Sequence, residues 1–165
     1  VLLGAGSRAN VRAVTRCFLI PPAEYAERND ARLAALHALQ AKLEPLPWEE
    51  QCKLPEVAAL FHAQYFGAGA MWFCPWYYDP AAPDPEERRG KPGILSVYYW
   101  RDWADTRPPL MVVTPALREW CVDQKASNGE GWTVTGHAPR ITCSPSIDVP
   151  GYHGYLRDGE FSPPL

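Results

Sequence analysis

The chain has 165 residues, with 16 Lys+Arg against 19 Asp+Glu for a net charge of -3, and 47% of it is hydrophobic. A chain of this length, apolar-rich and close to neutral, can bury enough surface to offset ordering entropy, so disorder is excluded and its slightly acidic balance argues against a nucleic-acid partner. The 18 prolines, beside 7 Trp, 8 Tyr and 5 Phe, exclude a helical bundle and a coiled coil and require short elements joined by stiff loops, because each proline fixes φ and removes a backbone donor.

In chain order, Gly4-Ala5-Gly6-Ser7-Arg8-Ala9 matches a loose dinucleotide pattern, but three preceding residues are too few for its first strand, and the segment reads as a terminus. Residues 1–20 carry Arg8, Arg12 and Arg16 and lack the compact apolar stretch of a signal peptide; no apolar run reaches membrane-spanning length. From Pro22 to Glu44, leucines at 33, 36, 39 and 43 recur at spacings of three and four, which predicts an amphipathic helix with one buried face, stopped by Pro45 and Pro47. A second helix is predicted from Pro55 to about Phe66, ended by Gly67, with Val57, Leu60, Phe61 and Tyr65 as its packed stripe.

After Gly69 the pattern changes to short aromatic and β-branched runs. Met71 to Tyr78, Ile94 to Trp100, Leu110 to Thr114, Glu119 to Val122, Trp132 to Thr135, Arg140 to Cys143 and Tyr152 to Leu156 are predicted strands, with Asp158-Gly159 turning Leu156 back to Phe161 in a hairpin. Asp79 to Pro92 reads as a solvated loop, and Ser144-Pro145-Ser146 as a turn capped by its hydroxyls. The expectation is a single α+β domain over 1–165, in which a helical part, 1–68, lays a helical pair on an antiparallel, strand-rich part, 69–165.

Five cysteines, at 17, 52, 74, 121 and 143, are odd in number and widely spaced, which does not resemble a secreted disulfide framework. Neither HExxH, nor a Walker loop, nor a G-x-S-x-G elbow occurs, so no catalytic residue is expected. Zinc would have to be assembled from Cys74, His137, Cys143 and His153 as single, distant ligands, without the paired spacing usual on turns. No resident cofactor is therefore expected, and a divergent zinc protein with a hydrolytic or regulatory role is the alternative. Two aromatic clusters stand out, around Trp72 to Tyr78 and Tyr98 to Trp103. Strand alternation would turn half of each outward, which makes Trp76, Tyr78, Trp100 and Trp103 the candidate surface for binding another protein.

The C-terminal half carries an ordered set of motifs: Pro109-Leu110-Met111-Val112-Val113-Thr114-Pro115, Trp120-Cys121-Val122-Asp123, Gly131-Trp132-Thr133-Val134-Thr135-Gly136, Pro139, Ile141-Thr142, Ser144-Pro145-Ser146-Ile147, and Tyr152-His153-Gly154-Tyr155-Leu156-Arg157-Asp158-Gly159. Over residues 93–161 this resembles a family of small proteins of unknown function carried mainly by bacteriophages and prophages. Branches of that family carry C-x-x-C upstream and Cys-His in the last motif. This chain keeps Cys74 and His153 at those places and has Tyr77 and Tyr152 where the partners would stand. The resemblance implies a viral setting, in the host cytoplasm or the virion, and supplies no reaction. The resulting expectation is a phage or prophage accessory protein that acts by protein binding, with a glycan-binding virion surface protein as a further alternative.

Overall fold

The computed structural model describes residues 14–74, 109–124, 126 and 129–164. Nine strands and four helices occupy this region: β1 (Thr15–Arg16), β2 (Phe18–Leu19), α1 (Pro22–Leu43), α2 (Trp48–Gln51), α3 (Pro55–Ala58), α4 (His62–Phe66), β3 (Ala70–Phe73), β4 (Leu110–Val113), β5 (Glu119–Cys121), β6 (Thr133–His137), β7 (Arg140–Val149), β8 (Tyr152–Arg157) and β9 (Glu160–Ser162). The strands form two sheets, in the orders β1-β9-β8-β7-β6 and β2-β3-β4-β5. The fold is α+β, as expected from the sequence. Its strand-rich half is antiparallel throughout the described pairs, and the parallel β2–β3 pair joins it to the N-terminal part.

Alternation along β3 sets the layering. Met71 belongs to a core shared with Leu110, Val112 and Trp120 of one sheet and Ile141, Leu156 and Phe161 of the other, so the two sheets pack face to face. Ala70 and Trp72 point the opposite way, into a second core with Tyr25, Ala63, Phe66 and Val113. The four-stranded sheet is thus covered by helices on one face and by the five-stranded sheet on the other.

Several expectations are corrected. The N-terminal part is not wholly helical, because residues 15–19 contribute one short strand to each sheet; the buried Cys17 between them marks the crossing. In place of a helical pair there is one 22-residue helix and three short ones. The second predicted helix breaks at Phe61, whose extended backbone (φ -64°, ψ 144°) re-aims the chain before α4. Leu60 and Phe61 instead donate to carbonyls three residues back, in a tightened turn. β7 runs straight through Ser144-Pro145-Ser146, so that tripeptide is not a turn; its proline sits where the pairing with β8 slips between Cys143 and Ile147.

The most informative correction concerns α1. At 100° per residue, Tyr25, Asn29, Arg32, Leu36, Leu39 and Leu43 share one face. Its buried residues are Tyr25, Asn29 and Arg32, whereas Leu33, Leu36, Leu39 and Leu43 are only half-buried and belong to neither core. Length explains this: a 22-residue helix extends about 33 Å, against about 13 Å for a four-residue strand such as β3. The leucine half of the stripe is only partly covered.

Candidate functional site

Where the first half of α1 lies over the helix-facing side of the sheet, a cleft of about 410 Å³ is lined by Tyr25, Asn29, Arg32 and Leu33 of α1, His62 of α4, Trp72 of β3, Cys74, Met111 of β4 and Glu119 of β5. Alternation places these strand residues there: Trp120 turns into the core between the sheets, which leaves Glu119 on the helix side, and Met111 is the outward neighbour of buried Leu110 and Val112. The break at Phe61 brings His62 into position.

The His62 ring is held from both sides. Its Nδ1 is in ion-pair contact with Glu119 Oε1, and its Nε2 lies 2.7 Å from the Tyr25 hydroxyl. Glu119, His62 and Tyr25 thus stand in contact in a row, and the imidazole tautomer sets which of Nε2 and the phenol donates. Tyr25 stacks on Trp72 with ring centroids 5.2 Å apart, and His62 meets the same indole edge-on at 4.8 Å. Contact on both ring nitrogens fixes the orientation of the imidazole in the cleft.

Beside it, Arg32 is only 8% exposed. Its Nε and Nη2 donate to Asn29 Oδ1 at 3.0 and 2.8 Å, and its Nη1 donates to the Leu60 carbonyl at 3.0 Å. Among the described residues no carboxylate pairs with it; Glu119, the acid of the cleft, is engaged by His62.

Of the sequence-predicted residues, Cys74 alone among those described lines this cleft. Trp76, Tyr78, Trp100 and Trp103 fall outside the described residues, as does the Gly4–Ala9 segment. Of the four candidate metal ligands, Cys74 follows β3 in one sheet, whereas His137, Cys143 and His153 belong to strands of the other. His137 pairs with Arg140 at one end of β7 and His153 with Asp148 near its other end, about 25 Å apart at the usual strand rise. Both histidines are exposed, Cys143 is buried in the core between the sheets, and only Cys74 reaches the cleft. Among the described residues no three His, Cys, Asp or Glu side chains gather as a metal site. No helix of the described residues is long and apolar enough to cross a membrane.

All five cysteines are reduced thiols. Burial pushes the Cys17 thiol up to about 12; burial, followed by the neighbouring Asp123 charge, does the same to Cys121. Because the thiolate is the reactive species, a thiol-directed reagent at neutral pH should leave Cys17 and Cys121 unmodified until denaturant is added, as read by peptide mass mapping. Rapid labelling of either in the native protein would contradict their burial.

Compared with family models, curated proteins and solved structures, the chain matches none. The reading of the site therefore rests on its own geometry. His62 and Glu119 were not singled out from the sequence. A signal was present: extended toward its N-terminus, the leucine stripe of α1 lands on Tyr25, Asn29 and Arg32, and polar residues at stripe positions mark a buried polar site.

Proposed function

We propose that the chain is a phage or prophage accessory protein that works by binding another protein, in the host cytoplasm or in the virion. The motif resemblance over residues 93–161 supports the viral setting. The binding role is carried by one observation: the half-buried row Leu33, Leu36, Leu39 and Leu43, which belongs to neither core, continues into Leu46 and Trp48, which are 39% and 43% exposed. Leucines at helical spacing beside an exposed Trp suit an amphipathic helix or a groove of a partner.

A photo-crosslinking amino acid placed at Leu39 or Trp48, with the protein expressed in cells carrying the source phage or prophage, tests this. One discrete adduct to a single other protein is expected; it should be absent when the crosslinker replaces Glu27 on the polar side of α1, and absent from the Trp48 probe when Leu36→Glu is added. Because these side chains lie outside both cores, Leu36→Glu should leave the circular dichroism spectrum intact. Adducts indistinguishable from those at Glu27, or an adduct untouched by Leu36→Glu, would overturn the reading.

A further inference from the structure

We propose that the cleft between α1, α4 and the four-stranded sheet binds a small organic anion, a carboxylate or phosphate carried on a flat apolar body. The cleft takes the first half of α1 and shares only Leu33 with the leucine row, and the inference does not depend on the protein-binding role.

Arg32 carries the argument. A guanidinium has five N–H donors, and three of those of Arg32 are used, two on Asn29 Oδ1 and one on the Leu60 carbonyl. One N–H on each of Nη1 and Nη2 is left, enough donors to meet two oxygens of a carboxylate or a phosphate. The group is more than nine-tenths buried, lines the cleft, and has no carboxylate partner among the described residues. A buried charge without a counter-charge is costly, and an anion entering the cleft would relieve that cost. Asn29 and Leu60 hold the guanidinium in place with neutral acceptors, which orient it without cancelling its charge.

The remaining walls define the ligand body. The stacked Tyr25 and Trp72 rings, with Met111 and Leu33, offer flat apolar surface, and about 410 Å³ lies within the range of small-molecule sites. Glu119 is an acid in the same cleft, and its carboxylate contacts His62 and not Arg32. The chemistry favours an anion with an aromatic or short aliphatic body over a bare inorganic ion, which would leave the apolar walls unused.

Calorimetric titration of the full chain with benzoate, phenyl phosphate and neutral benzamide tests this. At least one of the two anions should bind with a millimolar or tighter Kd, and which one binds decides between carboxylate and phosphate. Benzamide should bind about tenfold more weakly or less, given the strength of charge-assisted hydrogen bonds. Arg32→Met should abolish anion binding. Arg32→Lys, which keeps the charge and loses the fork, should weaken it about tenfold. Should Arg32→Met fail to fold, the Arg32 Nε resonance in the unmodified protein provides the second readout, and it should shift on titration with the binding anion. The proposal is overturned if neither anion binds, if benzamide binds as well as the anions, if Arg32→Met folds and binds as the parent does, or if the Nε resonance stays still while anion binds. A purely structural clamp of Asn29 and Leu60 would alter stability alone and leave all four measurements without an anion effect. Crosslinking at Leu39 and Trp48 is independent of these outcomes, so the two proposals fail separately.

Discussion

Gly159→Ala should destabilise the protein by about 2–4 kcal/mol and lower its Tm by roughly 5–15 °C. Asp158 and Gly159 turn β8 into β9 with φ of 45° and 76°, the left-handed pair of a type I′ hairpin. The positive φ alone would cost an alanine about 1 kcal/mol. Space decides the rest: a Cβ at position 159 would lie 2.5 Å from the Pro139 carbonyl oxygen and 3.2 Å from the Arg140 Cα. Both are backbone atoms of the β6–β7 turn and cannot swing aside as a side chain would. The same residue donates to the Ile141 carbonyl at 2.9 Å and accepts from the Cys17 amide at 2.7 Å, so displacing it also loosens the crossing strand at residues 15–19.

Its neighbour makes an instructive contrast. Asp158 accepts two hydrogen bonds from Arg140, at 3.0 and 2.6 Å, and these hold its carboxyl below the usual range. A depressed folded pKa contributes stability above the ordinary carboxylate pKa and loses it as pH falls through the folded value. Both side chains are exposed, so solvent screens the pair, and Asp158→Asn should matter far less than Gly159→Ala. Thermal melts at neutral pH compare the two directly. A Gly159→Ala protein melting within about 2 °C of the parent would falsify the close backbone approach.

The hairpin at 158–159 was legible in the sequence because its signal is local: two residues with a backbone requirement, flanked by alternating strands. Predicted strands at Leu110, Glu119, Arg140 and Tyr152 begin where observed ones do for the same reason. What escaped is non-local. Residues 15–19 have no strand periodicity to read in two-residue pieces, and they become strands only because β9 and β3 offer open edges. The break at Phe61 is set by packing rather than by a Pro or Gly, so an apolar stripe over Pro55–Phe66 looked like one helix. The cleft was hidden for a related reason. Tyr25, Asn29 and Arg32 are local on α1, but His62 and Glu119 join them from elements that the sequence leaves 57 positions apart, and no spacing rule connects these.

The motifs behind the family resemblance fall mostly on scaffold positions. Trp120 and Trp132 meet edge-to-face at 5.1 Å in the core between the sheets, and the Trp132 indole donates to the Ser146 carbonyl at 3.3 Å. Gly136 has a φ of 83° and would place a Cβ 2.5 Å from the Arg140 carbonyl oxygen. Tyr152 donates to the Ser162 carbonyl at 2.8 Å, and its hydroxyl occupies the space beside Gly154. These residues specify turns and strand pairing in the five-stranded sheet, while the cleft lies on the far side of the other sheet and takes Tyr25, Asn29, Arg32 and His62 from outside the motifs.

Asp123 is the motif residue whose loss should cost most after the glycines. Its carboxylate is fully buried and accepts the Leu110 amide at 2.8 Å, just where β4 begins; the Leu110 carbonyl in turn accepts from the Val122 amide at 3.0 Å. One side chain thus closes the open end of the β4–β5 hairpin that carries Met111 and Glu119 into the cleft. Asp123→Ala removes the acceptor and leaves a buried N–H unpaired, with a small cavity beside it, so a loss of about 2–4 kcal/mol is expected. Asp123→Asn keeps an oxygen acceptor and should recover about half of that. Urea unfolding measures both, and an unchanged m-value would place the loss in the folded state rather than in a more compact denatured one. If Asp123→Ala unfolds within about 0.5 kcal/mol of the parent, the carboxylate is not what holds β4 to the turn, because surface-type substitutions already span that range.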